Sequence, residues 1–457
     1  MHGDLQRRSG TARAGLSALA VRALAAWLLA VSLVACGGGN GAQTEAPAGD
    51  APPAAGGGEA GGGATPAPPA TPSPPPPSPP PPEPPAPPPP VAVEEPTGPG
   101  RTLAVQPLAL ITATEVQAAL AAAGAGAPPL AAAYDVVAYR ITYLTLDADG
   151  REQPASGLLA VPQKAHGARS PMLSWQHGTI FRDAEAPSNA VAPGELPIQL
   201  AAAGYIVAAA DYVGYGVSKG VPHPYLLSAP TASAVLDLLV AARNWRLRNG
   251  VAGNGQLFLA GYSEGGFATV AAHRALQTGP HAAGSSLALQ FSELVAVVPG
   301  AGPYHLAATL DALLEQIRDE SRLLAALIDP GFLRRLGSSL RQEVKERLMR
   351  YLIPGDADVV FDTRFVDAYL EDNRDKIERQ SNVHDWRPTA PVRLFHGRDD
   401  RVVPYASSTS TLAAMLSRGA VDVSLADCTA APSGHLECVA PYLRHVLQAL
   451  APWARNL

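Results

Sequence analysis

Gln256-Leu257-Phe258-Leu259-Ala260-Gly261-Tyr262-Ser263-Glu264-Gly265-Gly266 carries an apolar strand-like run into G-x-S-x-G, and a helix fits Gly265 to Gln277 directly behind it. In a chain with 43 glycines the five letters alone are weak, arising by chance on the order of a few tenths of a time. The strand before and the helix after raise their weight. A serine on a sharp strand-to-helix turn needs glycine two residues before and two after, because side chains there would strike neighbouring backbone. The turn exposes the Ser263 hydroxyl and sets the Glu264 N–H at a helix N-terminus. The bland alternative is a glycine-rich turn with no chemistry.

A serine hydroxyl is a poor nucleophile at neutral pH, so it requires a base within hydrogen-bond reach and a group that orients the base. Both residue types follow in the chain. His396-Gly397-Arg398-Asp399-Asp400-Arg401-Val402-Val403-Pro404 comes after a later strand, and Ser433-Gly434-His435 after the last one. Pro432-Ser433-Gly434 suits a turn that presents His435; a polar loop histidine is the alternative. The order serine, acid, histidine together with HG-x-x-D-x-x-V-P resembles the α/β-hydrolase superfamily. That resemblance implies Asp400 as the acid, with Asp399 as the other candidate. A tetrahedral intermediate also needs N–H donors aimed at its oxygen. The Glu264 N–H is one. Trp175-Gln176-His177-Gly178-Thr179 resembles the superfamily's HG oxyanion motif, which implies the Thr179 N–H as the second donor, Gly178 next, and a structural role for His177.

A narrower likeness covers roughly Tyr134 to Trp453. Ala155-Ser156-Gly157-Leu158-Leu159-Ala160-Val161-Pro162, Ser174 to Thr179, Asp211-Tyr212-Val213-Gly214-Tyr215-Gly216 and His223-Pro224-Tyr225-Leu226 resemble secretory lipases and related bacterial esterases. The likeness implies a mostly parallel sheet flanked by helices, an inserted helical cap, cleavage of acyl esters through an acyl-enzyme, and no cofactor or metal. One departure stands out. Such sequences often carry glutamine where this chain has Glu264, and a carboxylate turned toward the oxyanion would oppose charge developing there.

Outward from the motif, short apolar runs alternate with helical stretches, the pattern of an α/β fold around a mostly parallel sheet. Strands are expected at Val136–Asp147, Ala155–Val161, Met172–Gln176, Tyr205–Asp211, Gln256–Ala260, Leu294–Val298, Val392–His396 and Val421–Leu425. The first two, joined by Asp147-Ala148-Asp149-Gly150, read as a hairpin at the sheet edge. Helices are expected at Ala229–Arg248, Gly265–Gln277, Tyr405–Ser417 and Pro441–Ala451. Some ninety residues separate Val298 from Val392, and Leu306–Ile328, Leu333–Leu352 and Arg364–Ile377 have helical periodicity. They are expected to form a cap at about 303–388; a helical extension packed away from the site is the alternative.

The 457 residues are not all globular. Residues 36–100 are dominated by Gly, Ala, Pro and Ser and read as a disordered stalk, leaving 101–457 for the catalytic domain. Residues 1–35 read as a signal peptide, with Arg7, Arg8, Arg13 and Arg22 ahead of the apolar run Ala23–Ala35. Leu33-Val34-Ala35-Cys36 resembles a bacterial lipobox, which implies acylation of Cys36, a membrane partner and a cell-envelope location. An ordinary cut after Ala35, giving a secreted or periplasmic protein, is the alternative. Of three cysteines, Cys428 and Cys438 remain as a disulfide candidate outside the cytosol, or as two buried thiols. A net charge of -6 with no basic cluster in the globular part argues against nucleic acid. Three function classes fit: an esterase or lipase on small-molecule or lipid esters, a serine peptidase of the same fold, and a non-catalytic surface-binding protein.

Overall fold

A computed structural model describes residues 95–279, 285–320, 329–335 and 337–457. The expected signal peptide, Cys36 and the stalk up to residue 94 lie outside the described residues. Residues 95–100, assigned to the stalk by composition, are packed onto the domain instead: Glu95 pairs with Arg248 at 2.6 Å and the Gly100 N–H donates to the Leu144 carbonyl at 2.8 Å.

The described elements are β1 (Thr102–Ile111), α1 (Ala113–Ala123), β2 (Val136–Leu146), β3 (Glu152–Pro162), β4 (Ser170–Gln176), α2 (Leu196–Ala202), β5 (Ile206–Ala210), α3 (Ser228–Arg248), β6 (Gly253–Tyr262), α4 (Glu264–Thr278), α5 (Ser286–Glu293), β7 (Leu294–Gly300), α6 (Leu306–Glu320), α7 (Pro330–Arg334), α8 (Ser338–Leu352), α9 (Arg364–Leu370), α10 (Arg374–Gln380), β8 (Val392–His396), α11 (Ala406–Ser417), β9 (Val423–Asp427) and α12 (Val439–Leu450). The strands form one sheet in the order β1-β2-β3-β5-β4-β6-β7-β8-β9. From β5 to β9 all pairings are parallel, and β1, β2 and β3 add an antiparallel flank.

Neighbouring residues on the central strands feed opposite cores, as the two-residue period of a strand requires. Leu159 and Leu259 face the core that holds Val235, Leu239 and Phe267 of α3 and α4. Leu158 and Phe258 face the core that holds Ile198 of α2 and Tyr442 and Val446 of α12. All four strand residues are fully buried, which is why these runs are apolar at every position.

Three expectations need correction. The β2–β3 hairpin is present but is not at the edge, because β1 pairs outside β2. β1 is largely exposed and carries Pro107 at a register shift, so it lacks the apolar pattern of an inner strand. Leu333–Leu352 is two helices, α7 and α8, and Arg364–Ile377 is likewise broken into α9 and α10. The second break has a local cause: Asp372 has φ 54°, and the Asn373 side chain then caps α10 by accepting from the Lys376 N–H. The part of the first cap helix expected at 321–328 lies outside the described residues. No helix among the described residues is long and apolar enough to cross a membrane.

Candidate active site

β6 ends at Tyr262 and α4 begins at Glu264, so the whole turn rests on Ser263, which sits at φ 60° and ψ -124°. A side chain at positive φ is strained by about 1–3 kcal/mol and persists only where the surroundings enforce it. Here the turn is pressed against the end of β4. A Cβ on Gly261 would lie 2.6 Å from the Gln176 carbonyl oxygen, and one on Gly265 would overlap that same oxygen and stand 2.7 Å from the His177 carbonyl oxygen. The Ser263 N–H donates to Gly300 O at 2.9 Å on β7. Beneath the turn, Tyr442 of α12 accepts from the Gly261 N–H at 2.8 Å, and its hydroxyl lies 2.6 Å from Val298 O.

Ser263, Asp400 and His435 come from three separate loops at the C-terminal end of the parallel strands and meet there, all 2–3 % exposed. His435 Nε2 is 2.9 Å from Ser263 Oγ and His435 Nδ1 is 2.6 Å from Asp400 Oδ2. An ionised carboxylate only accepts, so the ring carries its proton on Nδ1 and offers Nε2 to the serine hydroxyl. The other oxygen, Asp400 Oδ1, accepts from the N–H groups of Val402 and Val403 at 2.9 and 2.8 Å. Burial alone would raise the Asp400 carboxyl, but His435 and then His396 outweigh it and hold it well below the usual carboxylate range. His396 stands 3.2 Å from Asp400 Oδ2 and is itself held between Val403 O and Ser408 Oγ, both at 2.7 Å. In the linear sequence His396 is marked only as a letter of the HG-x-x-D stretch.

Asp399 points elsewhere. Its Oδ2 accepts from the Ser433 N–H at 2.8 Å and from the Ser433 hydroxyl at 2.9 Å, which keeps this exposed carboxyl low. It therefore ties down the loop that carries His435, two residues before the ring. Two further groups hold that loop. Tyr262 Oη donates to His435 O at 2.8 Å, and Cys428 and Cys438 are joined in a disulfide that closes a ten-residue separation around the histidine. The Cys428 N–H donates to His396 O at 2.8 Å, which links the disulfide to the acid loop. Tyr262 sits inside the G-x-S-x-G stretch, but its partner is 173 residues away, so no local signal marks it.

Glu264 is the first residue of α4, and its N–H is one of those at a helix start without an acceptor in the helix. Gly178 lies against the serine, its Cβ position 3.7 Å from Ser263 Cβ, and Thr179 is buried next in sequence. Burial lowers the His177 imidazole; its nitrogens face Gly178 O at 2.7 Å and Asp211 O at 3.3 Å, and the ring stacks on Tyr212. The Glu264 carboxylate bonds His223 Nε2 at 2.7 Å rather than lying open beside the serine. Over the serine is a cavity of about 50 Å³, lined mostly by apolar side chains that include Leu226, Val402 and Val403 from the sheet side and Leu306, Leu310 and Phe365 from the helical insertion.

A family model described as secretory lipase matches residues 196–322, from α2 through Ser263 into the insertion. No curated protein matches the chain. Among solved structures, the rice cell wall degrading esterase LipA from Xanthomonas oryzae is similar at TM-score 0.60 and 25% identity, covering 78% of this chain and 99% of that one. A putative hydrolase from Legionella pneumophila is similar at TM-score 0.58 and 24% identity, covering 77% and 97%. The chain has the α/β-hydrolase fold, and its likeness to secretory lipases runs through the serine turn.

Proposed function

We propose that this protein is a serine hydrolase of carboxylic esters that works through an acyl-enzyme. The observation that carries the reading is the continuous bonded line from Asp400 through His435 to Ser263, buried at the floor of an apolar cavity. In the first half, Ser263 Oγ attacks the ester carbonyl carbon while His435 Nε2 takes its proton. The tetrahedral intermediate collapses, His435 returns the proton to the leaving alkoxide, and the alcohol departs. In the second half, water repeats the sequence on the acyl-enzyme and releases the acid. Asp400 keeps the imidazole in the required tautomer and balances the imidazolium. The oxyanion is received by the Glu264 N–H with the Thr179 N–H, Gly178 being the alternative second donor.

The apolar lining of the cavity suits the acyl chain of an ester. In this reading the helical insertion acts as a cap, since it supplies one wall of the acyl site. Export belongs to the same reading: the family match is to a secretory lipase, and Cys36 is the proposed acylated residue. A Cys36→Ser enzyme still found in the membrane fraction would refute the anchor.

The deciding experiment labels the enzyme with an alkyl phosphonate and then compares p-nitrophenyl esters of rising chain length with an aminoacyl anilide. We expect the label on Ser263 and turnover of the esters well above that of the anilide. Absence of labelling would leave a surface-binding protein, and preference for the anilide would leave a peptidase.

A further inference from the structure

The Glu264 side chain and the ring it meets are both buried, Glu264 at 2 % and His223 at 0 % exposure. His223 Nδ1 is 2.9 Å from Val213 O and Nε2 is 2.7 Å from Glu264 Oε1. A carbonyl oxygen only accepts, so Nδ1 carries a proton, and the Nε2 to Oε1 contact needs one more, on whichever side it resides. The two residues together are therefore neutral. They lie among the rings of Tyr212, Tyr215, Tyr225 and Phe361, at centroid distances of 5.0 to 6.2 Å from His223. Without its partner the carboxylate would be an uncompensated charge in that surrounding. This lessens the conflict raised by a glutamate beside the oxyanion donor: the pair is neutral overall and Oε1 is committed to His223, while the buried Oε2 has no hydrogen-bond partner among the described residues.

The main chain of His223 is equally committed. Its N–H donates to Val360 O at 2.7 Å, and its carbonyl accepts from the Asp362 N–H at 2.8 Å, so it forms a parallel bridge with Phe361. One residue thus bonds the inserted segment 360–362 by its backbone and the first residue of α4 by its ring. We propose that His223 is a positioning residue that couples the seating of the helical insertion to the oxyanion donor at Glu264. The proposal rests on the reading of Ser263 as nucleophile. A main-chain N–H at the start of a helix is aimed by what holds that residue, and here the glycine contacts that seat the turn are joined by a side-chain bond fixed from the insertion. The oxyanion donor is then fully aligned only when segment 360–362 is in place, and Phe365, three residues on, is at that moment a wall of the acyl cavity.

The test compares His223→Ala with the double variant His223→Ala, Glu264→Gln in the full-length enzyme. It measures kcat, KM, melting temperature and the inhibition constant of a short-chain trifluoromethyl ketone, whose adduct on serine bears the same oxyanion. For His223→Ala we expect kcat to fall by about 10² and ketone affinity to fall in parallel, with KM within about threefold. Removing the stranded carboxylate in the double variant should restore stability but leave kcat and ketone affinity low, because Glu264 still lacks its hold. If His223→Ala does not fold, His223→Gln, which keeps a donor toward Glu264, is measured the same way. A variant that melts lower but keeps kcat and ketone affinity per folded enzyme overturns the coupling. So does a double variant that regains parental kcat, since it lacks the hold of His223 and carries no stranded charge. Failure of the underlying reading looks different, since Ser263 would then resist the alkyl phosphonate label even in the unmodified enzyme.

Discussion

The turn that carries Ser263 and the loop that carries His435 end 2.9 Å apart, yet they are held by different means. The serine turn is held by backbone: glycines pressed onto Gln176, a main-chain bond to Gly300, and strand and helix continuing on either side. The histidine loop is held by side chains from elsewhere: Asp399 on Ser433, Tyr262 on the His435 carbonyl, and the Cys428–Cys438 bridge. A position enforced by sterics tolerates no local change, whereas one enforced by several separate bonds should lose accuracy stepwise as each is removed.

Variants can break that comparison or sharpen it. Ser263→Ala should lower kcat by about 10⁶ with little change in melting temperature, since the hydroxyl serves only the chemistry. Activity above a few per cent, in protein free of contaminating esterase, would sink the assignment. Asp400→Asn should cost about 10⁴ in kcat by allowing the wrong imidazole tautomer, while Asp399→Asn, which only slackens the Ser433 tether, should cost at most about tenfold. The reverse order would transfer the orienting role to Asp399.

Gly265→Ala tests the steric side, because its Cβ has no room before the Gln176 carbonyl. A forced shift of about 1 Å at the serine should reduce kcat by about 10² in whatever fraction folds. Near-normal turnover would mean that the turn is not held by contact with β4. The smallest effect belongs to the bridge. A Cys428→Ser, Cys438→Ser enzyme should lose roughly 2–3 kcal/mol of stability and a few-fold to tenfold in kcat, and reductant should lower turnover of the parent before it melts. Unchanged turnover with a lowered melting temperature would confine the bridge to stability and leave the loop to Asp399 and Tyr262.

The same contrast explains what could be read in the linear sequence. Eight strands were legible as short apolar runs, most plainly β5, which is buried at every position inside the parallel sheet, and Gly261 and Gly265 marked the serine turn because only glycine fits there. β1 was missed because an exposed edge strand broken at Pro107 carries no such pattern. Helix α1 had a usable signal that went unread: Thr112 and Glu115 form a capping box. At the site, Asp400 was separated from Asp399 only by resemblance, since two adjacent carboxylates look alike until one is seen to bond His435 and the other Ser433. His396, Tyr262 and His223 act through partners that chain spacing does not reveal. Glu264 was noticed as a departure, but the ring that neutralises it is 41 residues upstream.

The positive φ of Ser263 has a thermodynamic side. On the proposed reading the protein holds a strained backbone conformation at the residue it can least replace, so some folding free energy is given up permanently to keep the hydroxyl raised. Glycine at 263 would relieve strain of about 1–3 kcal/mol, offset by roughly 0.5–1 kcal/mol for the added freedom of the unfolded chain. A Ser263→Gly protein should therefore melt no lower than the parent and hydrolyse nothing; a clearly lower melting point would show that the turn is not strained. On this account the limit on the heat resistance of the native enzyme lies partly in its own reactive residue, and stabilising it without loss of turnover requires changes elsewhere.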